Sequence, residues 1–267
     1  MTDYFNRIHE GLPIDDIEII DMHAHLGPYF NMHTPKNDSD SMIQMMDQLG
    51  IDKVVLSATP GICADMVLGN NMTLEAIRTH RSRMYGACFV NGNYPELSLD
   101  ELERCFGEEK DVVIVKIHPI MSKCKLDDRR MKGIFEWASD RKLIVLVHTW
   151  LDQDPYGSQD QFAQVAKDYP DIMWYMGHTG GPYGGPHGIE IAEEVPNFFL
   201  DITMSMCPAH QIEFFVKEIG ADRVLFGTDN PFIDPKPQIG RVFLADISHE
   251  DRVKIVSGNA RRFIDFE

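Results

Sequence analysis

The stretch Ile17–Gly27, IEIIDMHAHLG, decides the reading of this chain. It is a short apolar run that ends with Asp21, His23 and His25 at alternate positions. In a strand, residues two apart project from the same face. The spacing predicts a strand over 17–22 whose end presents a carboxylate and two imidazoles to one side. Such a pair of imidazoles is either a polar strand end satisfied by backbone or two ligands to one metal. The rest of the chain has to decide.

Seven more short apolar runs follow, at 53–57, 84–90, 112–117, 143–147, 172–176, 198–202 and 223–227. Amphipathic segments lie near 39–49, 70–81, 98–107, 127–141, 159–168, 186–195, 208–219 and 237–246, with a last helix expected near 249–265. Gly50 and Gly220 stand where the first and seventh helices should stop. No Pro/Ser-rich linker, charge block or low-complexity tract divides the 267 residues. The expectation is one α/β domain over 1–267, a (β/α)₈ TIM barrel with a C-terminal helix. A doubly wound sheet is the alternative, but HAHLGPYF after the first strand holds no GxGxxG fingerprint.

In a (β/α)₈ barrel, functional residues collect where strands end. The fourth run continues as VVIVKIHP (112–119), with Lys116 and His118 on the inward face and Val113, Val115 and Ile117 toward the helices. The fifth gives LIVLVHTW (143–150) with His148, and the sixth MWYMGHTGG (173–181) with His178. The eighth gives VLFGTDNP (224–231) with Asp229. One histidine after a strand is ordinarily a satisfied polar residue. Histidines after several strands and an aspartate after another point to a shared metal at the barrel mouth. Imidazole and carboxylate donors suit Zn²⁺ first, and accommodate Mn²⁺, Fe²⁺ or Co²⁺. Asp229 would bind that metal and accept a proton from its water, while His178 would polarise the substrate or protonate a leaving group.

The order DMHAH, VKIHP, VHT, GHTGG, GTDNP, closing with SGNARRFI, resembles the amidohydrolase superfamily. Within it the likeness is to the amidohydrolase-2 type TIM-barrel metal-dependent hydrolases, a group that includes the aminocarboxymuconate semialdehyde decarboxylase-like enzymes. The likeness runs over nearly the whole chain. It implies that His23, His25, His148 and Asp229 hold one metal and that His178 acts in catalysis. Lys116 is expected as an amine paired with a carboxylate or with substrate, rather than as a carboxylated bridge, so a second metal is not expected. His118 is expected to face substrate or to stand behind the ligands. Asp21, one pleat below the metal, is expected to orient them, and Trp150, Tyr183 and Phe232 to wall the pocket.

Hydrolysis of an amide, ester or lactone is the first functional expectation. Non-oxidative decarboxylation of a small unsaturated or aromatic acid is the alternative. It asks for cations, and the strand-end loops offer only Lys36, Lys116, Lys123, Lys125, Lys236 and Arg241. A structural metal without catalysis is a third reading, disfavoured because none of the five cysteines lies in the motifs. The formal net charge of −17 opposes nucleic-acid or anionic-membrane partners. A small-molecule substrate is expected, and homo-oligomerisation is compatible with the composition. An odd number of cysteines, no CxxC pair, no apolar leader and no bilayer-length run lead to the expectation of a cytoplasmic protein.

Overall fold

The computed structural model describes residues 4–150, 154–181, 185–204 and 207–267. Eight parallel strands are hydrogen-bonded in sequence order. They are β1 (Ile20–Leu26), β2 (Lys53–Ala58), β3 (Met84–Val90), β4 (Val112–Ile117), β5 (Ile144–His148), β6 (Met173–Gly177), β7 (Phe198–Asp201) and β8 (Val224–Leu225). The seam between β1 and the residues after β8 is closed by Met22 N–H to Phe226 O (2.9 Å), Asp229 N–H to His23 O (2.8 Å) and His25 N–H to Asn230 O (2.7 Å). The result is a single-domain TIM barrel.

Outer helices follow the strands, among them Ser39–Leu49, Met66–Thr79, Pro95–Glu108, Lys132–Asp140, Gln159–Asp168, Gly185–Glu194, Gln211–Ile219 and Pro235–Phe243. The first shows why these segments start and stop where they do. Asp38 caps it by accepting from Ser41 N–H, and Gly50 ends it at φ 81°. A Cβ at Gly50 would lie 1.9 Å from Ile14 O, so no other residue fits there. Among the described residues, no helix is long and apolar enough to cross a membrane.

The barrel interior is filled by Ile20, Met22, Val55, Tyr85, Ala87, Ile114, Ile144, Leu146, Tyr175, Phe199 and Leu225. A larger apolar layer lies between the strands and the helices. Ala260, Ile264 and Phe266 pack onto the interior cluster from the N-terminal end of the strands. There Glu267 N–H also donates to Tyr85 Oη at 2.9 Å. The chain's last residues thus plug one mouth, and only the C-terminal mouth is left for a site.

Three expectations are corrected. The first strand spans Ile20–Leu26 instead of 17–22, so both histidines lie inside it. Its register with β2 shifts between Asp21 and Ala24. Below this bulge Ile20 and Met22 face inward, while above it Ala24 and Leu26 join the helix-facing layer. Simple alternation from Asp21 to His25 is therefore broken. Val113 lies at a second shift, between β3 and β4, and packs against the interior cluster rather than the helices. The last helical segment runs as His249–Val253, a π turn at Lys254–Gly258 and Asn259–Arg261, not as one helix to 265.

Asn259 of the SGNARRFI motif ties this segment to the shortest strand. Its buried Nδ2 donates to Ala221 O at 2.7 Å and to Val224 O at 2.8 Å. Asn259→Ala removes both bonds and leaves Ala221 O with only the Val224 N–H, and a loss of roughly 1–3 kcal/mol is expected in urea unfolding.

Glu101 accepts from Asn70 Nδ2 at 2.9 Å and from Arg104 Nε at 2.7 Å, joining two outer helices. Burial opposes its ionisation, but these bonds outweigh it and hold the carboxyl below its ordinary value. A depressed folded-state pKa stabilises above the unfolded value of about 4.3, and that contribution disappears as pH falls through the folded value. Glu101→Gln is accordingly expected to be less stable than wild type at neutral pH, with the gap narrowing in acid melts.

Candidate metal centre

The bulge in β1 turns both of its imidazoles into the mouth, and each ring is held from behind. His23 Nδ1 lies 2.7 Å from Asp201 Oδ2. His25 Nδ1 lies 3.1 Å from Ser57 O and 3.2 Å from Ser57 Oγ. Both rings therefore offer Nε2 to Asp229 Oδ1, at 3.8 Å from His23 and 3.2 Å from His25. His178 Nδ1 is 3.1 Å from Thr203 O, and its Nε2 is 3.1 Å from His148 Nδ1. His148 is stacked on His118, with centroids 3.8 Å apart.

Two of these residues are aimed by unusual backbone. His178 and Asp229, each just beyond a strand, both adopt φ 61°. Left-handed backbone at a non-glycine residue costs about 1–3 kcal/mol and is kept where surrounding contacts enforce it. Here it swings a side chain over the end of the barrel instead of continuing the pleat.

Among the described residues, His23, His178 and Asp229 form a group whose donor atoms all lie within 4.8 Å of one another. The sequence expectation placed His25 and His148 in that set and gave His178 another task. His25 adjoins the group with its Nε2 3.2 Å from Asp229 Oδ1, and His148 adjoins it with its Nδ1 3.1 Å from His178 Nε2.

Burial, then the nearby Lys116 cation, lowers His23 to about 3. Burial also lowers His25, His118 and His148. For Asp229, burial opposes ionisation but is outweighed by its close contact with His25 and the neighbouring His178 and His23, which hold it at about 2. Neutral imidazoles beside an ionised carboxylate are the protonation state a divalent cation needs. Together with oxygen acceptors behind the rings, this donor set fits one N/O-bound metal.

Lys116 is wholly buried and its Nζ lies 2.9 Å from His23 Nε2, so its hydrogen-bond partner within the protein is an imidazole, where a carboxylate or the substrate was expected. Burial lowers it to about 8. Asp21 accepts from His23 N–H (3.1 Å), Thr228 N–H (3.1 Å) and Thr228 Oγ1 (2.5 Å). It reaches no imidazole ring; it steadies the β1–β8 seam, and burial pushes it up to about 7.

The ring-orienting carboxylate is Asp201, which the sequence reading missed. The signal was present: FFLD places an aspartate at the end of the seventh apolar run, the position that drew attention to Asp229. Asp201 is buried at the end of β7, and hydrogen bonds from neighbouring donors keep it ionised despite that burial.

Above the cluster opens a cavity of about 610 Å³. His25, His118, His148, His178 and Asp229 form its floor, and Tyr29, Met32, Ile62, Trp150, Phe232 and Ile233 its walls. Among the described residues, no lysine or arginine lines it. Arg241 is instead engaged with Ile202 O, Gln238 and Gln211. Tyr183, expected as a wall, lies outside the described residues.

A parallel barrel that gathers imidazoles and a carboxylate at its C-terminal mouth is an enzyme architecture. The chain belongs to the amidohydrolase family, which it matches over residues 20–266, and is an enzyme of that superfamily. Among solved structures, it is similar to 2,6-dihydroxybenzoate decarboxylase from Rhizobium, at 18% identity and TM-score 0.74, covering 92% of this chain and 98% of that one. It is similar to 4-oxalomesaconate hydratase from Rhodopseudomonas palustris, at 20% identity and TM-score 0.71, covering 92% and 95%. A dihydroxybenzoic acid decarboxylase from Polaromonas sp. JS666, with bound manganese and the inhibitor 2-nitroresorcinol, matches at 20% identity and TM-score 0.71, covering 92% and 96%.

Gly227 gives a test of how tightly this cluster is packed. A Cβ there would fall 2.4 Å from Thr203 Oγ1 and 2.9 Å from both Asp201 Oδ1 and His23 Cβ. Gly227→Ala is expected to lose about 1–3 kcal/mol of stability and to weaken Mn²⁺ binding, as read by thermal melts and metal titration.

Proposed function

We propose that this enzyme is a metal-dependent carbon–carbon lyase that removes CO₂, without an oxidant, from a small aromatic or unsaturated acid. The observation that carries this reading is the cavity of about 610 Å³, with largely aromatic and aliphatic walls over a polar floor and Asn31 and Asp234 also in its lining. The likeness to two dihydroxybenzoate decarboxylases favours the same chemistry. His23, His25 and Asp229 would hold the metal together with His148 or His178. Mn²⁺ is the first candidate because a similar enzyme binds it, and Zn²⁺ suits the same donors. When bound, the metal supplies positive charge that neutralises substrate oxygens.

The chain's own residues do the rest. Phe232, Tyr29 and Trp150 offer ring faces to a flat substrate and exclude water from it. Whichever of His178 and His148 does not hold the metal would carry the proton that replaces CO₂ on carbon; their ring nitrogens are 3.1 Å apart, and His178 is anchored through Thr203 O. Among the described residues no lysine or arginine lines the cavity to meet a second carboxylate, and Lys116 lies beneath its floor against His23, so the preferred substrate is a monocarboxylate. The partner is a small molecule, not a polyanion.

Hydrolysis of a lactone, amide or ester is the second reading. It is favoured by the same lack of cations and by Asp229, which is held ionised and ready to accept a proton from water. The two readings part on one assay: Mn²⁺- or Zn²⁺-loaded enzyme against hydroxybenzoates, aromatic dicarboxylates, lactones and amides. CO₂ release from a monocarboxylate is expected, and acid release without CO₂ would transfer the assignment to hydrolysis. Asp229→Asn is expected to keep the fold and lower turnover by about 10²–10⁴-fold. A purely structural metal would show no turnover for this substitution to remove.

A further inference from the structure

We infer that Asp201 is the positioning residue of this centre: it fixes His23 with its proton on Nδ1 and Nε2 bare toward the mouth, and sets the backbone of His178 at the same time. The inference rests on the proposed metal role of His23 and extends it to a residue that does not line the cavity.

Five donors converge on this one carboxylate. Oδ2 accepts from His23 Nδ1 at 2.7 Å and from His178 N–H at 3.0 Å. Oδ1 accepts from Tyr175 Oη at 3.0 Å, Thr203 N–H at 2.9 Å and Thr203 Oγ1 at 2.5 Å. A backbone N–H can only donate, and one of them points at each oxygen. Only an acceptor on both sides satisfies the pair, and a carboxylate is the side chain of this size that provides it. Asp201 and His23 are each 1% exposed, so bulk water has no access to replace a missing partner.

The same geometry selects the tautomer of His23. With Oδ2 acting only as acceptor, Nδ1 must carry the proton, which leaves the Nε2 lone pair facing Asp229 and Lys116 Nζ. An asparagine would turn an NH₂ either onto His178 N–H and His23 or onto Thr203 N–H. In the first orientation His23 must accept at Nδ1 and move its proton to Nε2, the atom offered to the metal. The second sets the amide against Thr203 N–H and strains the turn after β7. The carboxylate thus ties the ends of β1, β6 and β7 into one geometry, and Gly227 beyond β8 leaves room for it.

The test is to label the histidines of the full chain with ¹⁵N and to record long-range ¹H–¹⁵N spectra, metal-free and loaded with diamagnetic Zn²⁺. In wild type, His23 should carry its proton on Nδ1 in both forms. Asp201→Asn should shift the His23 proton to Nε2 and weaken Zn²⁺ about 10–100-fold in chelator competition. Tyr175→Phe keeps the carboxylate and should preserve both tautomer and affinity. A wild-type His23 protonated on Nε2 would overturn the inference even if Asp201→Asn failed to fold. So would an Asp201→Asn protein with unchanged tautomer and affinity. A wild-type chain that takes up no metal would contradict the proposed function instead, and the metal-free spectrum would still decide the role of Asp201.

Discussion

A parallel barrel filled with apolar side chains can keep polar groups only where its strands end, and only if each finds a partner. Ile20, Met22, Tyr85, Ile114, Leu146, Tyr175 and Phe199 occupy the dry interior, and the C-terminal segment plugs its lower mouth. The histidines of the centre, Lys116, Asp201 and Asp229 are gathered at the upper rim. There a connected chain of contacts runs from Ser57 through His25 to Asp229, and from Lys116 through His23 and Asp201 to His178 and His148. Each link satisfies a group that would otherwise cost about 1–3 kcal/mol to bury unpaired. Satisfying these buried groups and presenting bare nitrogens to a cation are therefore one structural solution.

The parts of this centre legible in the sequence are those encoded locally. Alternation and strand ends marked His23, His25, His148, His178 and Asp229, and Asp38 with Gly50 set the bounds of helix Ser39–Leu49. What depends on strands meeting across the barrel was not legible. Asp201 binds a histidine 178 positions away, and nothing in FFLD alone distinguishes a strand terminator from an acceptor of five donors. The bulge in β1 follows from pairing with its neighbours, so residue parity misplaced Asp21 relative to the two imidazoles. Lys116 was placed correctly on the inward face, but only the packed barrel brings its amine to His23 rather than to a carboxylate.

The fold alone does not choose the reaction, because decarboxylases and a hydratase share it. The choice lies in the walls around the floor. Aromatic rings at Tyr29, Trp150 and Phe232, with no cation among the described lining residues, suit a flat substrate bearing little negative charge. Within that space His178 and Asp229, both on left-handed backbone, are held in place by the surrounding rim rather than by strand geometry. Reactivity would then follow from how rigidly the rim holds them.

The central claim is that one divalent metal sits at this cluster, with Lys116 as a neighbour and not a bridge. Anomalous diffraction from Mn²⁺-loaded crystals tests it most directly. The account predicts a single peak in contact with His23 Nε2 and Asp229. Two peaks joined by a carboxylated Lys116, or none at the rim, would contradict it.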